Sequence, residues 1–239
     1  VGVRELSRSE WMPVEQDGTG TYVFNSRDLC LLPRLADLAD AGLSSLKIEG
    51  RAKSGFYAAV VTRAYRAALD ALRDEGGVSP GLEQVLLREL AGTSHRPFDT
   101  GFYFHDVADP GRPATAPDQP GYLRSDTWVG RVAGAWAGAS GDDRRLAVEM
   151  RNRFGEGECL DLLVPGEPVR PDRPFRRIPV RDLRDVSGAP VAEALHPMAI
   201  VTLALDPGEP PIPADSLLRR SGGTESGPAS RPDQGSGTT

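Results

Sequence analysis

The charged segment around the glycine at position 50 is the part of the sequence best suited to chemistry. Arg51 and Lys53 supply cationic donors, and the backbone N–H groups of the helix predicted after Ser54 supply more, so this turn could bind a carboxylate or a phosphate. Lys47 and Glu49 would share one face of a strand before the turn and could line the same site. In the alternative interpretation, Lys47 and Glu49 pair with each other or with neighbours, and Arg51 is a solvated cap residue. The residues alone leave both interpretations open.

A second candidate is Cys30, which follows Asp28 at the start of a predicted helix. A thiolate at a helix N-terminus is stabilised by the helix dipole, which suits metal ligation or reactivity. A lone cysteine among leucines is more often a small buried apolar residue, and without further context we favour that interpretation. Cys159 falls on a predicted strand, and we interpret it as a core residue.

The three histidines, His95, His105 and His196, form no H-x-x-H or H-E-x-x-H pair, so a zinc site is unsupported. The sequence also contains no G-x-S-x-G nucleophile elbow, no P-loop and no dinucleotide fingerprint. His95 and Arg96 lie beside aromatic residues. We expect them first to pack against a barrel and second to contact RNA or substrate.

Predicted helices and one predicted strand hold these residues in place. Apolar residues recur at helical spacing over 31–38, and Gly42 is suited to end that helix. Residues 44–49 alternate between apolar and charged side chains, which predicts a strand. After Ser54 the helical pattern continues for four turns and stops at the glycines 76–77. Helix, strand and helix with short connections are typical of an α/β layer or barrel.

The remainder of the chain predicts one more helix and then a set of strands. Residues 80–90 follow a helical pattern, and 106–124 are rich in Pro, Gly and Asp, as in an interdomain linker. Five segments have strand length or composition and indicate a small β barrel or sandwich, namely 128–136, 145–151, 159–164, 175–180 and 198–205. From Asp206 the chain is rich in Pro, Gly, Ser and Arg, and we expect disorder from about residue 213.

The overall composition is that of an ordinary globular protein with an acidic balance. The net charge of −6 argues against bulk attraction to nucleic acid but leaves room for a local basic groove. No apolar run approaches the roughly 20 residues that a membrane span needs, and no signal peptide is visible. Two cysteines do not make a disulfide framework, so we expect a cytoplasmic protein.

Several short motifs resemble peptidase family U32, the collagenase-like peptidases. The resemblance covers most of residues 1–205, and its most specific parts are the SLKIEGR block together with the DLC motif. The matching segments are Gly20-Thr21-Tyr22, Phe24-Asn25-Ser26-Arg27-Asp28-Leu29-Cys30, Ser45-Leu46-Lys47-Ile48-Glu49-Gly50-Arg51, Lys53-Ser54, Tyr65-Arg66 with Asp70, His95-Arg96, Thr100-Gly101-Phe102-Tyr103-Phe104, and Arg151-Asn152-Arg153-Phe154.

The resemblance implies an α/β fold that is the last part of a TIM-like (β/α) barrel, followed by a small all-β, barrel-like domain. We place the barrel part at 1–75, a helix and linker at 76–124, the C-terminal β domain at 125–206 and a disordered tail at 207–239. The sequence begins at Val1 rather than at a methionine, and we interpret it as the back part of a longer protein.

The resemblance also implies an iron–sulfur cofactor. Family members are named as peptidases, but several are RNA or quinone hydroxylation enzymes that hold a four-iron, four-sulfur (4Fe-4S) cluster on four cysteines, and some take the hydroxyl group from prephenate. The last of those cysteines lies in the DLC motif, which is Cys30 here, and Cys159 matches none of the others. One thiolate cannot hold such a cluster. We therefore expect no cluster on the isolated chain, and we expect the missing part of the barrel to come from a longer product or a partner subunit.

These motifs give a set of expected roles. The candidate catalytic residues are Lys47, Glu49 and Arg51, the candidate metal ligand is Cys30, and the candidate substrate-binding residues are Arg51, Lys53, Ser54, His95 and Arg96. The expected partners are tRNA or rRNA and a small prephenate-like anion. The expected function is iron–sulfur-dependent hydroxylation of RNA, and two alternatives to it remain. One is a true peptidase, and the other is a non-catalytic remnant whose β domain binds RNA or another partner.

Overall fold

The computed structural model describes residues 2–3, 12–17, 20–23, 27–101, 103–104, 122–137 and 144–222. Their elements form a helical part, which runs from residue 27 to 101, and a β-rich part, which runs from residue 122 to 222. Three strands come first in the chain and pair antiparallel in the order β1-β2-β3, with bounds β1 Gly2–Val3, β2 Met12–Asp17 and β3 Gly20–Val23.

Three helices and two short strands make up the helical part. A 3-10 turn, Leu32–Arg34, leads directly into α1, Leu35–Asp40. The predicted cap at Gly42 is confirmed, since it adopts a positive φ of 79° and its N–H donates to the carbonyl of Ala39. The short strands β4, Asp28–Leu29, and β5, Phe98–Asp99, lie side by side in parallel.

The two long helices confirm the predictions from periodicity and caps. Helix α2 is Gly55–Glu75; the Ser54 hydroxyl accepts the N–H of Tyr57, and Gly76 ends the helix with a φ of 76°. Helix α3 is Pro80–Gly92 and begins at a Ser79 cap. The small residues of α2 let α3 approach closely, and both helices bury their apolar faces in one cluster with the segment 30–38. None of the helices within the described residues combines the length and apolar character that a membrane crossing needs.

A six-stranded antiparallel sheet forms the β-rich part. Its spatial order is β10-β9-β13-β6-β7-β12, and its strands are β6 Thr127–Ala137, β7 Arg144–Met150, β9 Cys159–Leu163, β10 Arg176–Pro179, β12 Ile200–Ala204 and β13 Leu217–Arg220. A smaller antiparallel pair joins β8, Phe154–Gly155, to β11, Glu193–Ala194. Gly130 allows the closest strand contact, because a Cβ there would lie 2.4 Å from a methyl carbon of Val148. All five strands predicted for this region are present.

Strand β13 corrects the expectation of a disordered tail over 207–239. Residues Leu217–Arg220 lie between β9 and β6 in the middle of the sheet, and Leu218 is fully buried. The segment is short, contains two arginines and lies between Pro/Gly/Ser-rich stretches, so its composition resembles a tail. The sheet and buried carboxylates around Arg219 supply the stabilisation that its composition does not indicate. Residues 223–239 lie outside the described residues.

The predicted strand over 44–49 is also wrong. These residues have no strand assignment, and Leu46 and Ile48, the apolar residues of the predicted alternation, are 39% and 38% exposed. A strand needs a hydrogen-bonding neighbour, and none of the described residues pairs with this segment. The described parallel pairing is limited to β4 and β5, so the (β/α) barrel over 1–75 stays a prediction.

Buried ion pairs join the helical part to the sheet. Arg219 of β13 contacts Glu89 of α3, Asp126 at 3.0 Å and Asp161 of β9 at 3.4 Å, and all four side chains are buried. Arg63 of α2 adds a second cation to Glu89 at 3.3 Å. Burying these groups is tolerable only because they neutralise one another, so the helices and the sheet depend on each other.

Candidate functional site

The site begins where β4 and β5 run side by side. The N–H of Asp28 donates to the carbonyl of Pro97 (3.0 Å), and the N–H of Cys30 donates to the carbonyl of Asp99 (2.8 Å). This pairing brings two segments that are far apart in sequence into contact. It places the side chain of Asp28 next to Arg96.

Asp28 organises a cluster of charged and aromatic side chains. Its carboxylate accepts the backbone N–H of Arg96 at 3.0 Å and the Nε of Arg96 at 2.8 Å, and it lies 3.9 Å from the ammonium of Lys53. The ammonium also lies 4.0 Å from the ring centre of Tyr122 and 5.4 Å from that of Tyr57. We call these five residues the Asp28 cluster.

The position of Lys53 follows from the turn before helix α2. The N–H of Lys53 donates to the carbonyl of Gly50 (2.9 Å), and Ser54 then caps the helix. The ammonium of Lys53 donates to the carbonyl of Ser94 at 2.8 Å, which fixes it over the cluster. With side chains 17% and 30% exposed, Lys53 and Arg96 are partly shielded from water yet still reachable. Within the cluster, two cations therefore contact one carboxylate.

Cys30 lies behind the cluster and is paired with a tyrosine. Its thiol is buried, and the hydroxyl of Tyr65 donates to its sulfur at 3.9 Å while accepting the N–H of Leu31 at 3.1 Å. Burial raises the pKa of the Cys30 thiol above its ordinary value, and burial beside Cys30 raises the pKa of Tyr65 as well. Burial, followed by the negative charge of Asp28, also raises the pKa of Tyr57.

The thiol donors of this chain do not fit a four-iron, four-sulfur cluster on their own. Cys30 is the buried thiol. Cys159 lies on a strand as predicted, but its prediction as a core residue is wrong, because it is exposed at the start of β9. Within the described residues, no group of three or more His, Cys, Asp or Glu side chains could hold a metal ion. The role of Cys30 as one metal ligand stays a prediction.

Lys47, Glu49 and Arg51 lie on the surface and contact one another. Glu49 accepts the backbone N–H of Arg51 at 3.0 Å and its Nε at 3.2 Å, and Lys47 lies 4.0 Å away from the same carboxylate. These hydrogen bonds from Arg51 lower the pKa of Glu49 below its ordinary value. The side chain of Arg51 is 89% exposed. The arrangement matches the alternative in which these charges pair locally, and their catalytic role stays a prediction.

Of the predicted binding residues, Lys53 and Arg96 meet in the Asp28 cluster. His95 is instead buried, with its ring stacked on Phe98 at 4.2 Å between centroids and its Nδ1 at 2.7 Å from the carbonyl of Arg96. Ser54 acts as the cap of α2. The expectation that His95 packs first is therefore in line with the structure.

The sequence did not indicate the polar contacts of the tyrosines or the central position of Asp28 in the cluster. Tyr57 and Tyr65 fall within the predicted helix after Ser54, but the ring of Tyr57 lies beside the Lys53 ammonium and the hydroxyl of Tyr65 contacts Cys30. Asp28 stands out in the sequence only through its motif and its place near a helix start. Tyr122 lies in a linker-like stretch, and no local pattern connects it to Lys53.

Known proteins resemble the chain along most of its length. The model of peptidase family U32 matches residues 4–112, and the model of the peptidase family U32 C-terminal domain matches residues 124–219. The tRNA hydroxylation protein P of Escherichia coli is 33% identical over 166 residues, which cover 68% of this chain and 34% of that protein. The protein of the same name from Haemophilus influenzae is 29% identical over 156 residues, covering 65% and 32%. The chain thus spans about a third of the length of these two relatives.

Two further similarities carry the same family name or a related one. An uncharacterized protease of Methanocaldococcus jannaschii is 36% identical over 108 residues, which cover 42% of this chain and 26% of that protein. The solved C-terminal domain of a Geobacillus thermoleovorans protein, described as a U32 peptidase, is 19% identical with a TM-score of 0.31, covering 39% of this chain and 99% of that one. A structural likeness of that size carries no argument, so the family assignment depends on the sequence models. Because the two U32 models match consecutive parts that make up most of the chain, the protein belongs to peptidase family U32.

Proposed function

We propose that the chain acts in the hydroxylation of tRNA and that the Asp28 cluster binds an anionic group in that reaction. The observation that carries the chemistry is the convergence of the Lys53 ammonium and the Arg96 guanidinium at one half-buried position, beside Asp28. The naming of relatives from Escherichia coli and Haemophilus influenzae as tRNA hydroxylation proteins supports the choice of tRNA.

The cluster combines the two kinds of contact that RNA recognition uses. The cations would hold a phosphate or a carboxylate, and partial burial strengthens such a contact by reducing the screening by water. Tyr122 is 60% exposed and presents an aromatic ring beside Lys53, on which a base could stack. A small prephenate-like anion would use the same cations, and rRNA would use both features.

The iron–sulfur expectation enters the proposal only through Cys30. We propose Cys30 as one ligand, with the remaining ligands supplied from outside these 239 residues. A cluster would supply redox chemistry when bound. Its test is an iron count after anaerobic reconstitution of the gene product that carries this sequence. Cys30→Ala should lose iron and Cys159→Ala should keep it, and full iron in Cys30→Ala contradicts the assignment.

The geometry does not favour the peptidase alternative. A cysteine nucleophile needs a lowered pKa and an adjacent base. Burial raises the pKa of Cys30, and its hydrogen-bond partner is the hydroxyl of Tyr65. Incubation with unfolded collagen under metal-free conditions checks this point, and we expect no cleavage across a pH series.

Hydroxylation itself is tested by deleting the gene and measuring modified nucleosides in tRNA by mass spectrometry. We expect nucleosides that carry one additional oxygen atom to disappear and to return with the wild-type gene. Lys53→Gln and Arg96→Gln should each lower their level by about tenfold, the value of one charge-assisted contact. Arg73→Gln, an exposed position on α2 beside Asp74, is the matched control and should restore the wild-type level. An unchanged nucleoside profile after the deletion contradicts the proposed function.

A further inference from the structure

The end of the connection between β9 and β10, together with the first two residues of β10, concentrates positive charge in an acidic protein. Residues 170–177, which we call the arginine loop, contain four arginines and one aspartate, although the whole chain carries a net charge of −6. A local excess of this kind in a protein of opposite charge points to a partner for that surface rather than to general solubility.

One of the four arginines is structural, and the other three present their charge to solvent. Arg176 is paired with Glu167 and lies 3.4 Å from Glu209, so it holds the loop to its own domain. Arg170 and Arg173 are exposed, and within the described residues their side chains make no ion pair or hydrogen bond. The side chain of Arg177 is 69% exposed and approaches Asp161 only at 3.7 Å.

A turn of the loop brings the backbones of Arg170 and Arg173 close together. The N–H of Arg173 donates to the carbonyl of Arg170 at 3.2 Å, and Pro171 occupies the second position of this turn, where proline is favoured. The ends of such a turn lie within about 7 Å of each other, so the two guanidinium groups can reach the same or adjacent anionic groups.

Contacts with three other elements hold the loop in place. Pro171 lies against α3, where a Cβ at Gly81 would meet it at 3.6 Å, and the carbonyl of Pro174 accepts a hydrogen bond from Arg63 of α2. Phe175 packs on the guanidinium of Arg219 in β13, 5.0 Å from its ring centre. The arginines are therefore presented from a braced loop, which reduces the entropy lost when a partner binds.

We propose that the arginine loop is a second docking surface for the phosphate backbone of tRNA, separate from the Asp28 cluster; the identity of this partner rests on the proposed function. Arginine is well suited to phosphate because its planar fork donates two parallel hydrogen bonds. The exposed Arg181 of the same part pairs with Asp206 at 2.9 Å, whereas Arg170 and Arg173 make no ion pair within the described residues. The charges of these two arginines fit a polyanion.

The test measures tRNA affinity as a function of salt for the gene product that carries this sequence. We expect a variant combining Arg170→Gln, Arg173→Gln and Arg177→Gln to bind at least about tenfold more weakly at low salt, and to lower the slope of log K against log salt by about 2. Lysines at the same three positions should restore the slope, because they keep the charge. Arg181→Gln is the matched control and should change the affinity by less than about twofold.

Two outcomes overturn the inference. Wild-type affinity and slope in the triple glutamine variant would remove the loop from the interface. An unchanged melting temperature of the variant shows that a loss of affinity is not a loss of folding. Competition by polyglutamate as effective as that by tRNA would instead assign the loop to an acidic protein. The nucleoside profile of the deletion strain is a separate measurement, so hydroxylation can hold while the docking surface fails, and the reverse.

Discussion

Asp28→Asn removes the carboxylate charge that Lys53 and Arg96 share, and we expect it to lower the free energy of unfolding by about 2 kcal/mol. The lysine ammonium and the carboxylate lie 3.9 Å apart, a distance at which unit charges attract by about 4 kcal/mol at an effective dielectric constant of about 20. Partial exposure and the cost of desolvation reduce that value by about half. Asparagine keeps one acceptor for the N–H of Arg96, so most of the loss comes from the charge interaction of the carboxylate with the two cations.

Urea denaturation of wild type and variant provides the measurement, with Asp37→Asn as the matched control. Asp37 pairs with Arg34 at 3.6 Å, but both side chains are about half exposed, so its loss should cost less than about 0.5 kcal/mol. A double-mutant cycle with Lys53→Met should recover a coupling of about 1 kcal/mol between Asp28 and Lys53. Equal effects of the Asp28 and Asp37 variants would refute the view that Asp28 organises the cluster.

The same variant separates stability from binding. Since Asp28→Asn makes the cluster more positive, we expect its affinity for tRNA to stay equal or rise while its stability falls. A loss of affinity in the folded variant would mean that Asp28 itself contacts the ligand.

Three further predictions concern the sheet, the cysteines and the buried charges. Gly130→Ala should cost about 1–3 kcal/mol in urea denaturation, because its methyl group would overlap a neighbouring strand, whereas Gly134→Ala, with open space around it, should have little effect. In alkylation followed by mass spectrometry, the exposed Cys159 should react first near pH 8; Cys30, whose pKa is raised by burial, should stay mainly protonated and react only as the pH rises further. Arg219→Met should lower the free energy of unfolding, measured in urea, by about 3–5 kcal/mol, because it removes the counter-charge of the buried carboxylates. A decrease below about 1 kcal/mol would contradict the description of buried ion pairs.

Local patterns were enough to predict the elements that local chemistry controls. Helix α2 lies between its caps Ser54 and Gly76, and its apolar residues are regularly spaced. The strands of the β-rich part are separated by clear turn residues. The predictions of a strand at 44–49 and of disorder at Leu217–Arg220 were wrong for opposite reasons. The first alternates like a strand but has no partner among the described residues, and the second has a poor pattern but is stabilised by its neighbours.

The candidate site could be predicted only in part for the same reason. Lys53 is recognisable as a cation that could bind an anion, because its type and its place in the turn before α2 are visible in the sequence, whereas Arg96 is singled out only by a motif of the family resemblance. Their meeting at Asp28 depends on the parallel contact of β4 with β5, and the approach of Tyr122 depends on the path of the chain after α3. Tertiary proximity of this kind has no local signal.

The buried contacts of Arg219 have a consequence for how the molecule opens. Separating the helices from the sheet would expose Glu89 of α3 and leave Arg219 with fewer counter-charges, and it would also unstack Phe56 of α2 from Trp128 of β6. Neither part can therefore loosen without destabilising the other, although different family models match the two parts. Amide protons of α3 and of β13 should exchange with solvent at a common slow rate, as one cooperative unit.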